Sequence, residues 1–311
     1  MSFELLQHGV LYLEDIRTGS TFYRLHIGKD FSFSQTFRQE GIPQKTLHNQ
    51  VGVFEGSVIN SANPADFSFT LLLVKEATKY QHLPLDLLLG YTSSGNINNF
   101  NLYFLNTQNT PNVQYKIENC VFTAGTFNIP RAGLITVNMV GQASKVTRTT
   151  GTFNISAPGF VTTANTQFAY SKEYIATING NTVSNFFGAS IELQNNIQWL
   201  ENTTIQATRN AVDAGSSVYP SNYVLMDRTL GGSIQQYIVQ SNAQSVNNIL
   251  TWKNNIPITI RAGNSTTDYQ IQINLTGCSF TNRPVTGDVL SQSYDFRLMT
   301  SPANLTSFFT Y

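Results

Sequence analysis

The segment Phe31–Phe37 reads FSFSQTF and alternates apolar with polar side chains along its whole length. Such alternation places apolar groups on one face of a β-strand and polar groups on the other. The pattern returns at Ile191–Ile197, which reads IELQNNI, so that Phe31 aligns with Ile191 at a spacing of 160 residues. Two matching strands so far apart predict that one structural unit occurs twice in the chain.

Further matches keep the same order and nearly the same spacing. A turn at Gly19 matches an Asn-Gly turn at Gly180, 161 residues later, and Asn-Gly is a strong hairpin signal because a type I′ turn needs positive φ. The strand-like segments Asn98–Phe104 and Asn254–Ile260 lie 156 residues apart. The chain is therefore predicted to be a tandem duplication.

The cysteines take matching places in the two copies. Cys120 and Cys278 lie 158 residues apart, each within a strand-like segment. Separate domain cores would hold two such positions too far apart for a disulfide. We therefore predict two buried free thiols.

Length and composition are consistent with two domains. At 311 residues the chain is long enough for two units of ordinary domain size, and only 12% of its residues are charged. Its formal net charge is zero, which argues against a basic surface that binds nucleic acid. We predict a mainly β fold with two tandem β-sandwich or barrel domains, at residues 1–150 and 166–311, joined by a linker at 151–165.

Each half is predicted to contain one short helix. The first follows Pro84, runs through Leu85–Leu89 and ends at Gly90. The second is predicted at Ser233–Val239, where apolar residues show i, i+3, i+4 spacing. Two long polar stretches, Arg38–Asn63 and Glu201–Ser221, are predicted to be loops with a shared role.

No catalytic, cofactor or metal site is predicted. The four histidines lack metal-ligand spacing, and no nucleophile elbow occurs. The Gly-Gly pair at Gly231 lacks the lysine of a phosphate-binding loop. We expect neither a signal peptide nor a membrane-spanning run, because the first residues lack a basic start and no apolar run approaches about 18 residues.

The opening Met1–Leu6, the strand ending in Asn195-Asn196-Ile197 and the tandem arrangement resemble the major tail tube protein of long-tailed bacteriophages, in the form with two fused tube domains. The resemblance covers nearly the whole chain. It implies a structural virion protein, without enzymatic activity, in which three chains close a pseudo-sixfold ring. Larger members carry an additional C-terminal immunoglobulin-like domain, and Tyr311 follows the second tube domain closely here.

The same resemblance implies the partners. Rings stack into a tube whose lumen conducts genomic DNA, and transiently the tape measure protein, while tail tip and terminator proteins bind its ends. Assembly is expected in the host cytoplasm, without a membrane. The long stretches would contact the next ring, and alternation makes Ser32, Ser34, Glu192 and Gln194 the candidate lumen-facing residues.

Two other functions remain open. A baseplate hub or distal tail protein also uses tandem tube domains at the tail tip. A carbohydrate-binding β-sandwich adhesin would need exposed aromatic residues, for which only Trp199 and Trp252 are available among tryptophans.

Overall fold

The chain folds into a β-sandwich in which nearly all strands are antiparallel, which confirms the mainly β fold class. The computed structural model describes residues 9–17, 21–46, 49–75, 83–92, 94–106, 112–151, 160–161, 167–200, 218–239, 252–265, 267–285, 288–299 and 305–311.

In the first half, the described residues form a helix and a run of strands. The elements are β1 (Gly9–Glu14), β2 (Phe22–Arg24), β3 (Ser32–Ser34), β4 (Phe37–Thr46), β5 (Asn49–Ala62), β6 (Ala65–Leu72), β7 (Val74–Lys75), α1 (Leu83–Leu89), β8 (Phe100–Asn106), β9 (Asn112–Pro130), β10 (Thr136–Ala143) and β11 (Lys145–Gly151).

The described residues of the second half form strands and a short 3-10 turn at Thr306–Phe308. Its strands are β12 (Phe160–Val161), β13 (Gln167–Phe168), β14 (Glu173–Ile178), β15 (Asn181–Thr182), β16 (Phe186–Leu200), β17 (Asn222–Tyr237), β18 (Trp252–Gly263), β19 (Tyr269–Val285), β20 (Ser291–Leu298) and β21 (Phe309–Thr310).

Helix α1 confirms the first of the two helix predictions. Pro84 lies in its first turn, where a missing N–H costs nothing, and Leu85 and Leu87–Leu89 are buried against the sheet. The Gly90 amide donates to the Asp86 carbonyl at 2.7 Å, and a Cβ at Gly90 would lie within 2.4 Å of that oxygen. Glycine therefore permits this helix end.

The prediction of a second helix at Ser233–Val239 is wrong. Residues up to Tyr237 belong to β17, which pairs with β16 on one side and β20 on the other. Ile234 and Gln236 are buried while Gln235 is exposed, which is the period of a strand. Pairing with a strand on each side satisfies the backbone hydrogen-bonding groups of this segment. These non-local bonds outweigh the helical spacing of its apolar residues.

The two halves repeat one pattern of strand pairing. In the first half β2 pairs with β1, β1 with β8, β8 with β9, β9 with β10 and β11, β10 with β6, and β6 with β3. The second half repeats this order through β15, β14, β18, β19, β20 and β21, β17 and β16. This common topology supports the predicted duplication.

The cysteines mark equivalent positions in this pattern. Cys120 pairs with Phe100 and Cys278 pairs with Ile256, and a register irregularity follows each pair. Asn119, before the first cysteine, has a φ of 53°, and the glycine before the second has a φ of 77°. Both cysteines are buried and free, as predicted. Burial raises the pKa of Cys278 to about 12.

Strand β3 presents the same kinds of side chain to the core as its counterpart β16. The residues that correspond in the two strands differ, however, from the alignment that the sequence predicts. Cross-strand partners run Phe33, Phe67, Gly141 and Phe122 in the first half. The corresponding row in the second half runs Ile191, Gly232, Phe296 and Phe280. Phe33 is therefore the counterpart of Ile191, two residues from the position that sequence alone predicts.

One continuous sheet, here called the wall, joins the halves. Its strands run in the order β3, β6, β10, β9, β16, β17, β20 and β19, each antiparallel to the next. Strands β1, β2, β8 and β11 in the first half, and β14, β15, β18 and β21 in the second, cover one face of the wall, and the apolar core lies between the two layers. The long strands β9 and β19 belong to both layers, because their first parts pair with the outer strands β8 and β18.

The domain division at 1–150, 151–165 and 166–311 remains a prediction. Gly151 ends β11, and Phe160–Val161 pairs in parallel with β2. The other residues of the predicted linker lie outside the described part of the chain. A single cluster of buried apolar side chains extends through both halves.

Candidate functional site

The uncovered face of the wall carries the four residues singled out from the sequence. Ser32, Ser34, Glu192 and Gln194 are all exposed, which confirms that they point away from the core. Ser32 and Ser34 lie on β3, while the other two lie on β16 in the second half. Their assignment to a lumen remains a prediction.

Hydroxyl and amide groups dominate the surroundings of these residues. The hydroxyls of Ser32 and Ser68 lie 2.9 Å apart, and Thr70 donates to the side-chain oxygen of Asn138 at 3.0 Å. Glu192 pairs across the wall with Thr126 on one side and a glycine on the other. The face is thus polar but largely uncharged.

Carboxylates outnumber guanidinium groups on this face of the wall. The acidic residues there are Asp66, Glu192, Asp227 and Asp295, and the basic ones are Arg283 and Arg297. Arg283 lies 3.5 Å from Asp295, so one of the two positive charges is already paired. Such a surface offers few cations to a nucleic-acid backbone.

The wall ends in two strand edges, one formed by β3 of the first half and the other by β19 of the second half. Ser32–Ser34 pairs with β6 alone among the described residues. At the other end Asn282–Val285 pairs with β20 alone in the described part of the chain. Because the wall is antiparallel throughout, β3 and β19 run in opposite directions and have compatible polarity for pairing with each other.

The junction between the halves shows how two such units meet. Residues 124–130 of β9 pair with residues 188–194 of β16. Phe127 and Ile191 are partners in this register and are both fully buried. Gly125 lies beneath α1, where a Cβ would come within 2.3 Å of the Leu88 side chain. The junction therefore combines strand pairing with close packing of the helix.

A buried arginine fastens the second half to the end of α1. Arg228 is 5% exposed and donates to the carbonyls of Leu88, at 2.7 Å, and Gly90, at 3.3 Å. Its Nε donates to Asn195 at 2.7 Å, and Asn195 in turn donates to the Phe122 carbonyl at 2.9 Å. The carbonyls at a helix C-terminus carry partial negative charge, which suits a cation.

The protonation of Arg228 is maintained in this setting. Burial lowers the pKa of Arg228 to about 10, and the Tyr91 phenol acts in the opposite direction. The side chain therefore remains charged at neutral pH. Sequence reasoning missed this residue because its carbonyl partners lie up to 140 positions away along the chain.

The predicted loops include paired strands. Arg38–Asn63 is mainly the hairpin of β4 and β5, so its prediction as a loop is wrong. In the second half β16 and β17 remain paired out to Leu200 and Asn222, and residues 201–217 lie outside the described part. Backbone groups in these hairpins are satisfied by cross-strand bonds, which allows a polar sequence to form strands.

The surroundings of the candidate sugar-binding tryptophans are only partly described. Trp199 donates from its ring nitrogen to Gln142 at 3.0 Å and packs on Tyr223, with ring centroids 5.4 Å apart. The side chain of Trp252 lies outside the described part of the chain. The adhesin hypothesis therefore gains no support from Trp199.

Other candidate chemistry is accounted for structurally. Gly231 and Gly232 lie inside β17, and a Cβ on Gly232 would come within 2.2 Å of the Ser190 carbonyl, so close strand packing explains the glycine. No group of histidine, cysteine and carboxylate residues suited to a metal ion occurs among the described residues. Burial lowers the pKa of His26, and Arg24 adds to that effect, while the other histidines lie outside the described part. Across the described ranges, no helix is long and apolar enough to cross a bilayer.

The chain resembles a family of known proteins. A comparison with curated proteins finds no match. The model of the Bacteriophage Baseplate Tube Protein Family matches residues 21–310, nearly the whole chain. The family is one of structural phage tube proteins and so implies a virion component. This chain belongs to the bacteriophage baseplate tube protein family.

Proposed function

We propose that three copies of this chain close a pseudo-sixfold ring, and that such rings form part of a phage tube through which DNA passes. The pairing of β9 with β16 carries the proposal, because it already joins two copies of the repeated unit side by side. The edge of β19 corresponds to β9, and the edge of β3 corresponds to β16. Repeating the internal junction between chains would therefore extend the wall.

The ends of the wall favour a closed ring. The two edges are unlike, so contacts between copies would be head to tail, and such interfaces generate rings when the rotation closes. A trimer would contain the repeated unit six times. Closure would also pair two strand edges that otherwise invite uncontrolled association.

An exposed aromatic residue lies where the proposed interface would form. In the register that matches Phe33 with Ile191, Phe37 corresponds to Asn195. Asn195 is 3% exposed because it lies under the first half at the internal junction, whereas Phe37 is 45% exposed. A neighbouring chain in the same arrangement would cover Phe37.

The uncovered face of the wall would line the lumen, with Ser32, Ser34, Glu192 and Gln194 facing the passing DNA. Each phosphate neutralised by lysine or arginine adds affinity through counterion release. Summed over stacked rings, a basic lining would retain DNA. The excess of carboxylates on this face supports a conduit that lets DNA slide.

The family description favours a position at the baseplate end of the tube, and the major tail tube itself is the second candidate. Either position gives the same ring. Both imply contacts with adjoining tube proteins, tail tip or terminator proteins and the tape measure protein, after assembly in the host cytoplasm.

Electron microscopy of the purified chain, combined with native mass spectrometry, tests the ring. We expect end-on views with pseudo-sixfold symmetry from particles of three chains per ring. Six chains per ring, or only monomers at all concentrations, would contradict the proposal. Long tubes would favour the major tail tube, while single rings or short stacks would favour the baseplate position.

DNA retention tests the role of the lining. We expect assembled wild-type rings to show little affinity for duplex DNA at 50 mM salt, while a Glu192→Lys/Gln194→Lys variant binds it with strong salt dependence. Circular dichroism and microscopy would verify that the variant still forms rings. Tight, salt-sensitive DNA binding by the wild type would argue against a conduit.

A further inference from the structure

A groove opens on the uncovered face of the wall, at the end where β9 turns into β10. It has a volume of about 340 Å³ and spans the junction between the halves. At its centre lies Gly188 of β16, which pairs with Pro130 of β9 on one side and with Gln235 of β17 on the other. Because cross-strand partners share one face of a sheet, a missing side chain between two flanking ones forms the floor of the groove.

Neither backbone conformation nor packing accounts for a glycine at this position. The φ of Gly188 lies outside the left-handed region. A Cβ at Gly188 would meet its nearest atom, the Ile129 carbonyl oxygen, at 3.7 Å, which is ordinary van der Waals contact. At Gly125 and Gly232, in contrast, a Cβ would collide with neighbouring atoms. The open space at Gly188 is therefore available to a bound group.

A bulge in β16 supplies an aromatic wall for the groove. The pairing of β16 with β17 passes from Phe186 to Gly188 and skips Phe187. Bulges redirect side chains, and Phe187 lines the groove. Its ring stacks on Tyr237, with ring centroids 4.1 Å apart and an angle of 20° between the rings. The aromatic wall is thus in place before any ligand binds.

The polar side chains of the groove are available for binding. Asn128, Arg131, Ser190 and Gln235 line it. Within the described part of the chain, none of these four side chains forms a hydrogen bond or an ion pair. Arg131 and Gln235 are exposed, and the other two are half-buried. The groove therefore offers a guanidinium, two carboxamides and a hydroxyl to a ligand.

The turn that carries Arg131 is held by the segment before β14. The Tyr170 hydroxyl donates to the Ala132 carbonyl at 2.6 Å, and the Ser171 amide donates to the Gly133 carbonyl at 2.8 Å. Ala132 has a φ of 50°, as in a tight turn. Arg131 therefore extends from a constrained backbone, which limits the conformational freedom lost when a ligand binds.

We propose that this groove binds an extended peptide segment of an adjoining protein through an acidic side chain. A planar guanidinium binds a carboxylate through two parallel hydrogen bonds. The carboxamides of Asn128 and Gln235 each supply donors and an acceptor, which match the groups of a peptide backbone. The aromatic wall and Pro130 offer apolar contact to a neighbouring side chain. The site lies within one chain, so it does not depend on ring closure.

Nucleic acid fits the groove less well than a peptide does. A phosphate backbone binds through several cations, whereas Arg131 is the one basic residue among the described residues that line the groove. Glu192 follows Ser190 on the same face, about 7 Å further along the strand. Its carboxylate would repel a polyanion that runs along the wall, and a single acidic side chain bound at Arg131 avoids that repulsion.

Fluorescence anisotropy with a short peptide tests the groove. The probe is fluorescein-labelled Gly-Ala-Asp-Leu-Ala-Gly, and its matched control carries Asn in place of Asp. We expect the wild-type chain to bind the aspartate peptide about tenfold more tightly than the asparagine peptide, because only the former pairs with the guanidinium. Equal binding of the two peptides, or no saturable binding of either, would overturn the proposal.

Two substitutions locate the binding site. Arg131→Gln removes the cation and Gly188→Leu fills the groove, so each should weaken binding of the aspartate peptide by about tenfold or more. Arg297→Gln removes an exposed arginine elsewhere on the same face and should bind as the wild type does. Circular dichroism would verify that the variants are folded. Wild-type affinity in Arg131→Gln would contradict the assignment, whatever the behaviour of Gly188→Leu.

Competition with duplex DNA separates the two kinds of ligand. We expect DNA at low salt to leave the bound aspartate peptide in place. Displacement of the peptide by DNA, with loss of DNA binding in Arg131→Gln, would assign the groove to nucleic acid and overturn the peptide site. Native mass spectrometry tests the three-chain ring separately, so failure of either proposal leaves the other standing.

Discussion

Single residues determine how tightly the two halves are joined. Arg228 brings a charge into the interior and distributes its hydrogen bonds over the end of α1 and Asn195. A buried charge is tolerated only when its donors are satisfied. Its removal would leave the Leu88 carbonyl and Asn195 without a strong partner.

Replacing this arginine should destabilise the fold. We expect Arg228→Met to lower the free energy of unfolding by about 2–4 kcal/mol, because several charge-assisted hydrogen bonds are lost from a buried site. Arg297→Met, on the exposed face of β20, should change it by about 0.5 kcal/mol or less. Urea unfolding followed by circular dichroism measures both. Equal effects would show that the buried contacts contribute little.

Glycine at position 125 is expected to be required by packing. Gly125→Ala would push a methyl group into Leu88, and we expect a loss of about 1–3 kcal/mol in the free energy of unfolding. Gly188→Ala, at the same junction, meets its nearest atom at 3.7 Å and should be nearly neutral. Thermal and urea unfolding of the pair would test this. A neutral Gly125→Ala would mean that α1 shifts freely on the wall.

At the scale of elements, the β16–β17 hairpin carries apolar side chains on its surface. Leu200, Val224 and Met226 near the end of the β16–β17 hairpin are exposed apolar residues. Clusters of this kind mark contacts with other molecules. We expect these residues to contribute to a contact with the next ring, beside the long polar stretch that follows Leu200.

Charging this hairpin should separate stacking from ring closure. We expect Val224→Asp/Met226→Asp to form rings that fail to stack, since burying two carboxylates between rings is costly. Electron microscopy and sedimentation velocity would report ring and stack populations, with Ile16→Asp as the surface control. Stacks of wild-type length in the double variant would exclude the hairpin from the ring-to-ring contact.

The strands could be predicted from the sequence where alternation is strong. The pattern at Phe31–Phe37 gave the correct face for Ser32 and Ser34. It could not give the register, because a shift of two residues leaves every side chain on the same face. Phe33 matches Ile191 only once the partners of both strands are known.

Non-local partners explain the other errors. Ile234 and Ile238 have helical spacing, but pairing with β20, whose sequence lies far downstream, makes the segment up to Tyr237 a strand. The sequence alone also does not reveal an exchange of a phenylalanine and a glycine between two paired strands. Phe67 covers Gly141 in the first half, whereas Phe296 covers Gly232 in the second, so ring and glycine change strands. Such an exchange preserves volume while erasing the similarity of single positions.

At the scale of the whole molecule, duplication places one junction inside the chain and leaves its equivalent to be made between chains. The internal junction pairs Thr126 with Glu192. Strand β9 has a bulge, because its pairing with β10 passes from Phe122 to Ala124 and skips Thr123. With that residue allowed for, Thr126 corresponds to Arg283, and Glu192 corresponds to Ser34. The same register at the free edges therefore pairs Ser34 with Arg283 of the next copy. Both residues are exposed in the single chain. The proposed interface therefore has a defined pair of residues at its centre.

Oxidative cross-linking of a Ser34→Cys/Arg283→Cys variant tests this interface most directly. The control variant Thr126→Cys/Glu192→Cys joins the equivalent internal positions and should form a disulfide within each chain. For the edge variant, we expect covalent species of up to three chains on a non-reducing gel, and none larger. Chains that remain monomeric in assembled particles, or a ladder that extends to six, would contradict it.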